Sequence, residues 1–169
     1  MPELPGNNHW LNWRQVPWKT IDPGPNLDLL AALWVYEWRV EPMGQGGAVL
    51  IDPSHLTHSF DPFEGPASPQ IIAPYSTSIL WGWRIFARAV LIAEEARGGI
   101  ILDMRDTNGD PHLSVDTLPV RLSLEGREVW EGPLPWAATM AAIDVAEQAW
   151  IAKTTTLPER LGRWLRRKA

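Results

Sequence analysis

The first long pattern along the chain is an alternation of aromatic and other side chains over residues 33–41. Its aromatic and β-branched members are Trp34, Tyr36, Trp38 and Val40. A period of two residues is typical of a β-strand, and these residue types favour strands. The pattern therefore predicts a strand with its aromatic residues on one face, followed by a short apolar strand at residues 48–51. A helix over residues 28–38 is the competing interpretation.

Two longer segments carry apolar residues at helical spacing. Ser76 or Ser78 is suited to cap a helix that runs to about Arg97. The predicted buried stripe of this helix comprises Ile79, Trp83, Phe86 and Val90, flanked by Leu80, Ala87 and Leu91. Residues 135–153 predict a second amphipathic helix. Its apolar face comprises Trp136, Met140, Ile143 and Trp150.

The remaining patterns predict loops and short strands. Residues 52–75 contain five prolines, which predicts a long surface loop. Short strand patterns separated by turn residues lie at 100–105, 112–115, 120–124 and 127–130. Because strands and helices do not alternate regularly, we expect an α+β fold. It would comprise a mostly antiparallel sheet of about five or six short strands packed against two long amphipathic helices, with a short basic C-terminal helix.

These patterns divide the chain into three parts. We predict an irregular N-terminal arm over residues 1–26 and a single α+β domain over residues 27–153. We predict a basic amphipathic C-terminal helix over residues 154–169. The tryptophans expected to hold the arm against the domain are Trp10, Trp13 and Trp18. Thr156 and Glu159 match a capping box at the start of the terminal helix.

Composition excludes several kinds of chemistry. The 169 residues include no cysteine, so disulfides, thiol nucleophiles and cysteine-bound metals are excluded, whereas 11 tryptophans are an unusually large number. Residues 1–153 carry 10 Lys and Arg against 19 Asp and Glu, a net charge of −9, and residues 154–169 carry +4. An acidic body repels nucleic acid and attracts basic protein surfaces. We therefore expect a protein partner, with nucleic acid able to bind only the C-terminal helix.

The sequence contains no targeting or cofactor-binding motif that argues against a protein-binding role. The N-terminus lacks the basic start and apolar run of a signal peptide, and the apolar stretch 79–93 is interrupted by Arg84 and Arg88. We expect a cytoplasmic protein without a membrane span. The glycines of residues 44–47 lack the lysine of a phosphate-binding loop, so no nucleotide cofactor is indicated.

The proline-rich segment holds a candidate metal site. Asp52, His55, His58 and Asp61 recur at every third residue, and imidazole and carboxylate groups are the ligands that zinc or manganese prefers. A metal-dependent hydrolase is thus one functional hypothesis. The competing interpretation is a polar loop in which the aspartates cap turns.

Two surfaces are candidates for partner binding. Trp81 shares the polar side of its helix with Arg84 and Arg88, and exposed Trp beside Arg is typical of interface hot spots. The second surface is on the terminal helix and comprises Arg163, Trp164 and Arg167. These residues could instead dock the helix on the acidic body.

Three functional hypotheses remain. The first is a non-enzymatic macromolecular binding protein, such as an inhibitor, an immunity-like protein or an assembly subunit, acting through an acidic Trp-rich surface. The second is the metal-dependent hydrolase. The third is a carbohydrate or single-strand nucleic-acid binder that stacks its ligand on Trp34, Tyr36 and Trp38, although such aromatic stripes more often form core.

Overall fold

The described part of the chain forms a mixed α+β structure with two small sheets and three α-helices. The computed structural model describes residues 9–66, 69–95, 100–104, 119–124 and 129–166. The α-helices in this part of the chain are α1 (Pro25–Val35), α2 (Ile79–Glu95) and α3 (Leu134–Arg166). The strands are β1 (Arg39–Pro42), β2 (Ala48–Ile51), β3 (Thr57–Asp61), β4 (Gly65–Pro66), β5 (Ile100–Met104), β6 (Pro119–Leu124) and β7 (Val129–Pro133). The predicted strand at residues 112–115 lies outside the described residues.

The strands form two separate antiparallel sheets. One sheet has the order β1-β2-β3-β4 and the other the order β5-β6-β7. In the first sheet Leu50 lies opposite His58, and in the second Leu122 lies opposite Trp130. The predicted single sheet of five or six strands is therefore wrong. Each described strand pairs with its neighbour along the chain, and α2 lies between the two sets, so local strand patterns could not show that the sets stay apart.

The region 33–41 is a helix end and a short strand rather than one strand. Pro25 begins α1, where its missing N–H leaves no helix bond unmade. Every residue from Leu27 to Val35 is buried, so the helix lacks the amphipathic period by which helices are recognised. Glu37 has a φ of 60° and ends α1 by turning the chain, so that the Trp38 N–H donates to the Ala32 carbonyl at 3.2 Å.

The start of α1 is tied to the segment that leads into α2. The buried Asp28 carboxylate accepts a hydrogen bond from the Ser76 N–H at 2.7 Å, and the Ser76 hydroxyl accepts one from the Gly24 N–H at 2.8 Å. Burial raises the pKa of Asp28, although the bonds from Ser76 oppose the rise. Ser76, one of two predicted helix caps, thus connects two elements instead.

The predicted long loop over residues 52–75 contains β3, β4 and a 3-10 turn at Pro69–Ile71. Pro53 and Pro62 lie in the turns that flank β3, so neither removes a hydrogen bond from within that strand. The number of prolines in this segment indicated a loop. A count of prolines does not show that a strand fits between two of them.

Helix α3 is the central element, and it contacts α1, α2, β6 and β7. Residues 137–146 are all buried, and five of them are alanines, so neighbouring elements pack on every side of the first half of the helix. The predicted separate terminal helix is wrong because α3 continues to Arg166. Thr156 and Glu159, the residues of the predicted capping box, lie within α3. The division into arm, domain and tail stays a prediction.

The N-terminal segment contributes directly to the core. It forms two 3-10 helices, His9–Gln15 and Trp18–Thr20. Its tryptophans are all buried among the core residues: Trp10, Trp13 and Trp18. Each indole removes a large apolar area from water, which holds the irregular backbone in place.

Candidate functional site

The face of α2 that packs on α3 is built from small residues. Gly82, Ile85, Ala89 and Ala93 are buried, and they follow the helical spacing of three and four residues. A Cβ atom on Gly82 would lie 2.7 Å from the Pro135 Cα atom, so the two helices approach closely here. This close approach determines which face of α2 lies inside.

The predicted buried stripe of α2 is therefore wrong in part. Trp83 is 41% exposed, Leu80 57% and Leu91 50%, whereas Ile79 and Phe86 are partly buried against the core. Helix α2 carries apolar side chains on most sides, so sequence periodicity alone indicated the wrong side as the buried one. We call Leu80, Trp83 and Leu91 the outer apolar face of α2. An exposed group of large apolar side chains is more informative about function than a buried one.

The predicted partner-binding residues of α2 lie beside this outer apolar face. The Arg84 guanidinium carbon is 4.5 Å from the centre of the Trp81 ring, a cation–π contact. Trp81 is partly buried and packs edge-to-face on Tyr75, whose ring stacks on Tyr36 at 5.0 Å. Arg84 and Arg88 are exposed. Trp81 is therefore a support for Arg84 as well as a candidate contact residue.

The predicted partner residues of the tail are described less fully. Arg163 and Trp164 lie within α3, where the backbone alone is described. Arg167 lies outside the described residues. A role for these three residues in binding stays a prediction.

Asp52 and His58 form a structural pair at one end of the first sheet. The Asp52 Oδ2 atom is 3.1 Å from His58 Nε2, and Oδ1 accepts hydrogen bonds from the Ser54 and Leu56 N–H groups at 2.8 and 3.0 Å. Desolvation raises the pKa of Asp52, but the hydrogen bonds from Leu56, His58 and Ser54 outweigh it and lower the pKa. The His58 ring also stacks on Trp38.

The other two predicted ligands do not join this pair. Asp61 Oδ1 accepts hydrogen bonds from the Phe63 and Glu64 N–H groups at 2.7 and 3.1 Å, which caps a turn at the far end of β3. His55 Nδ1 lies 3.4 Å from an Arg39 guanidinium nitrogen. In the described part of the chain, no group of three or more ligating side chains is placed to hold a metal ion.

The predicted aromatic platform is not formed. Trp34 is buried in α1, Tyr36 stacks on Tyr75, and Trp38 stacks on His58. The three rings do not lie on one strand face, because Trp34 belongs to α1 and the left-handed turn at Glu37 comes between Tyr36 and Trp38.

A large cleft that sequence patterns did not reveal lies between the N-terminal segment, the end of α1, β1 and α3. Its volume is about 1070 Å³. The aromatic residues that line it are Trp13, Trp34, Trp38 and Trp150, and the cationic ones are Arg14, Arg39, Arg88 and Lys153. These residues come from distant parts of the sequence, so no local motif could have identified them.

Three tryptophans of the cleft surround one arginine. The Arg14 guanidinium carbon lies 4.4 Å from the centre of the Trp13 ring, 5.2 Å from that of Trp150 and 6.0 Å from that of Trp34. Trp34 meets Trp13 edge-to-face at 4.8 Å. We call Arg14 and these three rings the arginine cage.

Two residues of the cleft lining, Glu37 and His55, have left-handed backbones with φ of 60° and 66°. Such strain often occurs at functional sites.

Comparison with known proteins adds no assignment to these surfaces. No protein-family model, curated protein or solved structure matches the chain. Among the described residues, no helix has the length and apolar character needed to cross a membrane. A function for this chain therefore rests on the geometry of its own surfaces.

Proposed function

We propose that this chain is a non-enzymatic binding protein that engages another protein through the outer face of α2. The observation that carries the proposal is the exposure of Leu80, Trp83 and Leu91 on one side of a well-packed helix. Helix α2 is already held by its opposite face, so these side chains are not needed for its packing on α3. Large exposed apolar groups of this kind mark protein interaction sites.

The residues beside this face suit an interface. Arg84 and Arg88 border the apolar residues along the helix, and Arg84 is supported by the Trp81 ring. Tryptophan and arginine are the residues that most often dominate binding energy, and a polar border around an apolar centre is the usual composition of interfaces. The net charge of −9 on residues 1–153 would speed encounter with a basic partner.

The test compares capture of proteins from the source lysate by wild type and by a Trp83→Ala/Leu91→Ala double variant. The matched control is Phe63→Ala, because Phe63 is 53% exposed but lies in the turn after β3. We expect wild type and the control to retain a stoichiometric protein, identified by mass spectrometry, that the double variant loses. With the purified partner, the affinity of the double variant should fall by at least about 30-fold, since hot-spot residues contribute about 2 kcal/mol or more.

Two outcomes would contradict the proposal. One is equal capture by wild type and the double variant. The other is cooperative unfolding of the double variant at a much lower temperature, since substitutions at exposed positions usually change stability by less than about 0.5 kcal/mol. Capture that disappears after nuclease treatment would instead favour nucleic-acid binding by the C-terminal segment.

A further inference from the structure

Arg14 is held mainly by contacts with aromatic rings. The rings of the arginine cage lie against the guanidinium, and cation–π attraction restricts its position. Among the described residues, the Arg14 side chain has no ion-pair or hydrogen-bond partner. A guanidinium has five N–H donors in a planar fork that fits a carboxylate, and a fork that is already positioned loses less freedom when it binds.

Other groups in the cleft also favour an incoming acceptor. Arg88 lines the same cleft and forms no ion pair with a described residue. Two of the three carboxylates in the lining are already engaged, because Glu41 lies 3.6 Å from Arg39 and Asp52 bonds to His58. With respect to the described residues, the guanidinium groups of Arg14 and Arg88 in the cleft thus have no ion-pair partner, although residues 1–153 carry a net charge of −9.

From this geometry we propose that the cleft binds an acidic peptide segment, with a peptide carboxylate held by the Arg14 guanidinium. The apolar side chains of the segment would contact Trp38 and Ile92 in the lining. The volume of about 1070 Å³ is at the upper limit of sites for drug-sized molecules, which favours several peptide residues. The net charge of −9 opposes a nucleic acid, which brings a charge with every nucleotide, more strongly than a segment with a few carboxylates.

The test measures fluorescence anisotropy of a fluorescein-labelled hexapeptide of alternating glutamate and leucine. A peptide with glutamine in place of glutamate is the ligand control, because it keeps the shape and removes the charge. We expect the wild-type chain to bind the glutamate peptide at least about tenfold more tightly, which corresponds to one charge-assisted, two-point hydrogen bond. A labelled single-stranded oligonucleotide forms a third arm.

Variants assign the binding to the arginine cage. Arg14→Ala should abolish the preference for glutamate, and Arg14→Lys should restore only part of it, since lysine keeps the charge without the planar fork. The matched control is Lys19→Ala, because Lys19 also lies over a tryptophan of the N-terminal segment, Trp18 at 5.4 Å, but does not line the cleft. It should bind like wild type. Thermal unfolding confirms that each variant is folded.

Several results would overturn the proposal. These are equal binding of the two peptides, binding of neither, or a glutamate preference that survives in a folded Arg14 variant. Binding of the oligonucleotide alone would overturn it in favour of a nucleic-acid site. The Trp83→Ala/Leu91→Ala variant should bind the glutamate peptide normally, so failure of this proposal and failure of the proposed function give different results.

Discussion

The contact between α2 and α3 at Gly82 can be tested by adding a single methyl group. In Gly82→Ala the new Cβ atom would lie 2.7 Å from the Cα, 3.2 Å from the Cβ and 3.3 Å from the backbone nitrogen of Pro135. The nearest of these is a backbone atom at the start of α3, so no side-chain rotation can relieve the overlap. The helices must move apart, and the packing around the buried Ile85 and Leu134 must loosen.

Two opposing effects determine the magnitude. Alanine is favoured over glycine within a helix by about 1 kcal/mol. Overpacking a close contact costs about 1–3 kcal/mol, and a backbone contact belongs at the upper end of that range. We therefore expect Gly82→Ala to lower the free energy of unfolding by about 2 kcal/mol. For a chain of this length, that change lowers the melting temperature by about 4–8 °C.

The assay is thermal and urea unfolding followed by circular dichroism. Ala87→Gly is the control, because Ala87 is exposed on the same helix and reports helix propensity alone. It should cost about 1 kcal/mol. If Gly82→Ala proves equal to wild type, or about 1 kcal/mol more stable, then α2 and α3 do not meet closely at Gly82 and the exposure of the outer apolar face loses its basis.

Two further predictions concern the lining of the cleft. Glu37→Gly should be about 1 kcal/mol more stable than Glu37→Ala in urea unfolding, because the φ of 60° strains every residue except glycine; the opposite order would show that Glu37 is not left-handed. The lowered pKa of Asp52 means that its contribution to stability is present above the ordinary aspartate value of about 3.9 and is lost as the pH falls through the lower folded value. Urea unfolding at pH 3–7 should therefore show a weaker acid dependence for Asp52→Asn, and an unchanged profile would contradict the hydrogen bonds assigned to Asp52.

Local sequence patterns were sufficient for much of the secondary structure. Helices in the regions of α2 and α3 were predicted from apolar spacing, and the mixed α+β class followed from the irregular order of strands and helices. These features depend on interactions between residues a few positions apart, which periodicity records directly. Where burial is complete, as from Leu27 to Val35, periodicity is lost and the alternation of residue types was misleading.

The arrangement of surfaces depended on contacts between distant residues. Apolar side chains surround α2, and it was the missing Cβ of Gly82 against Pro135 that placed Trp83 outside rather than inside. Likewise, Trp13, Trp34 and Trp150 meet around Arg14 only after three helical segments have packed together. A sequence pattern shows which side chains are suited to burial. Close packing between elements decides which of these side chains are buried, because a helix places only one face against a given neighbour.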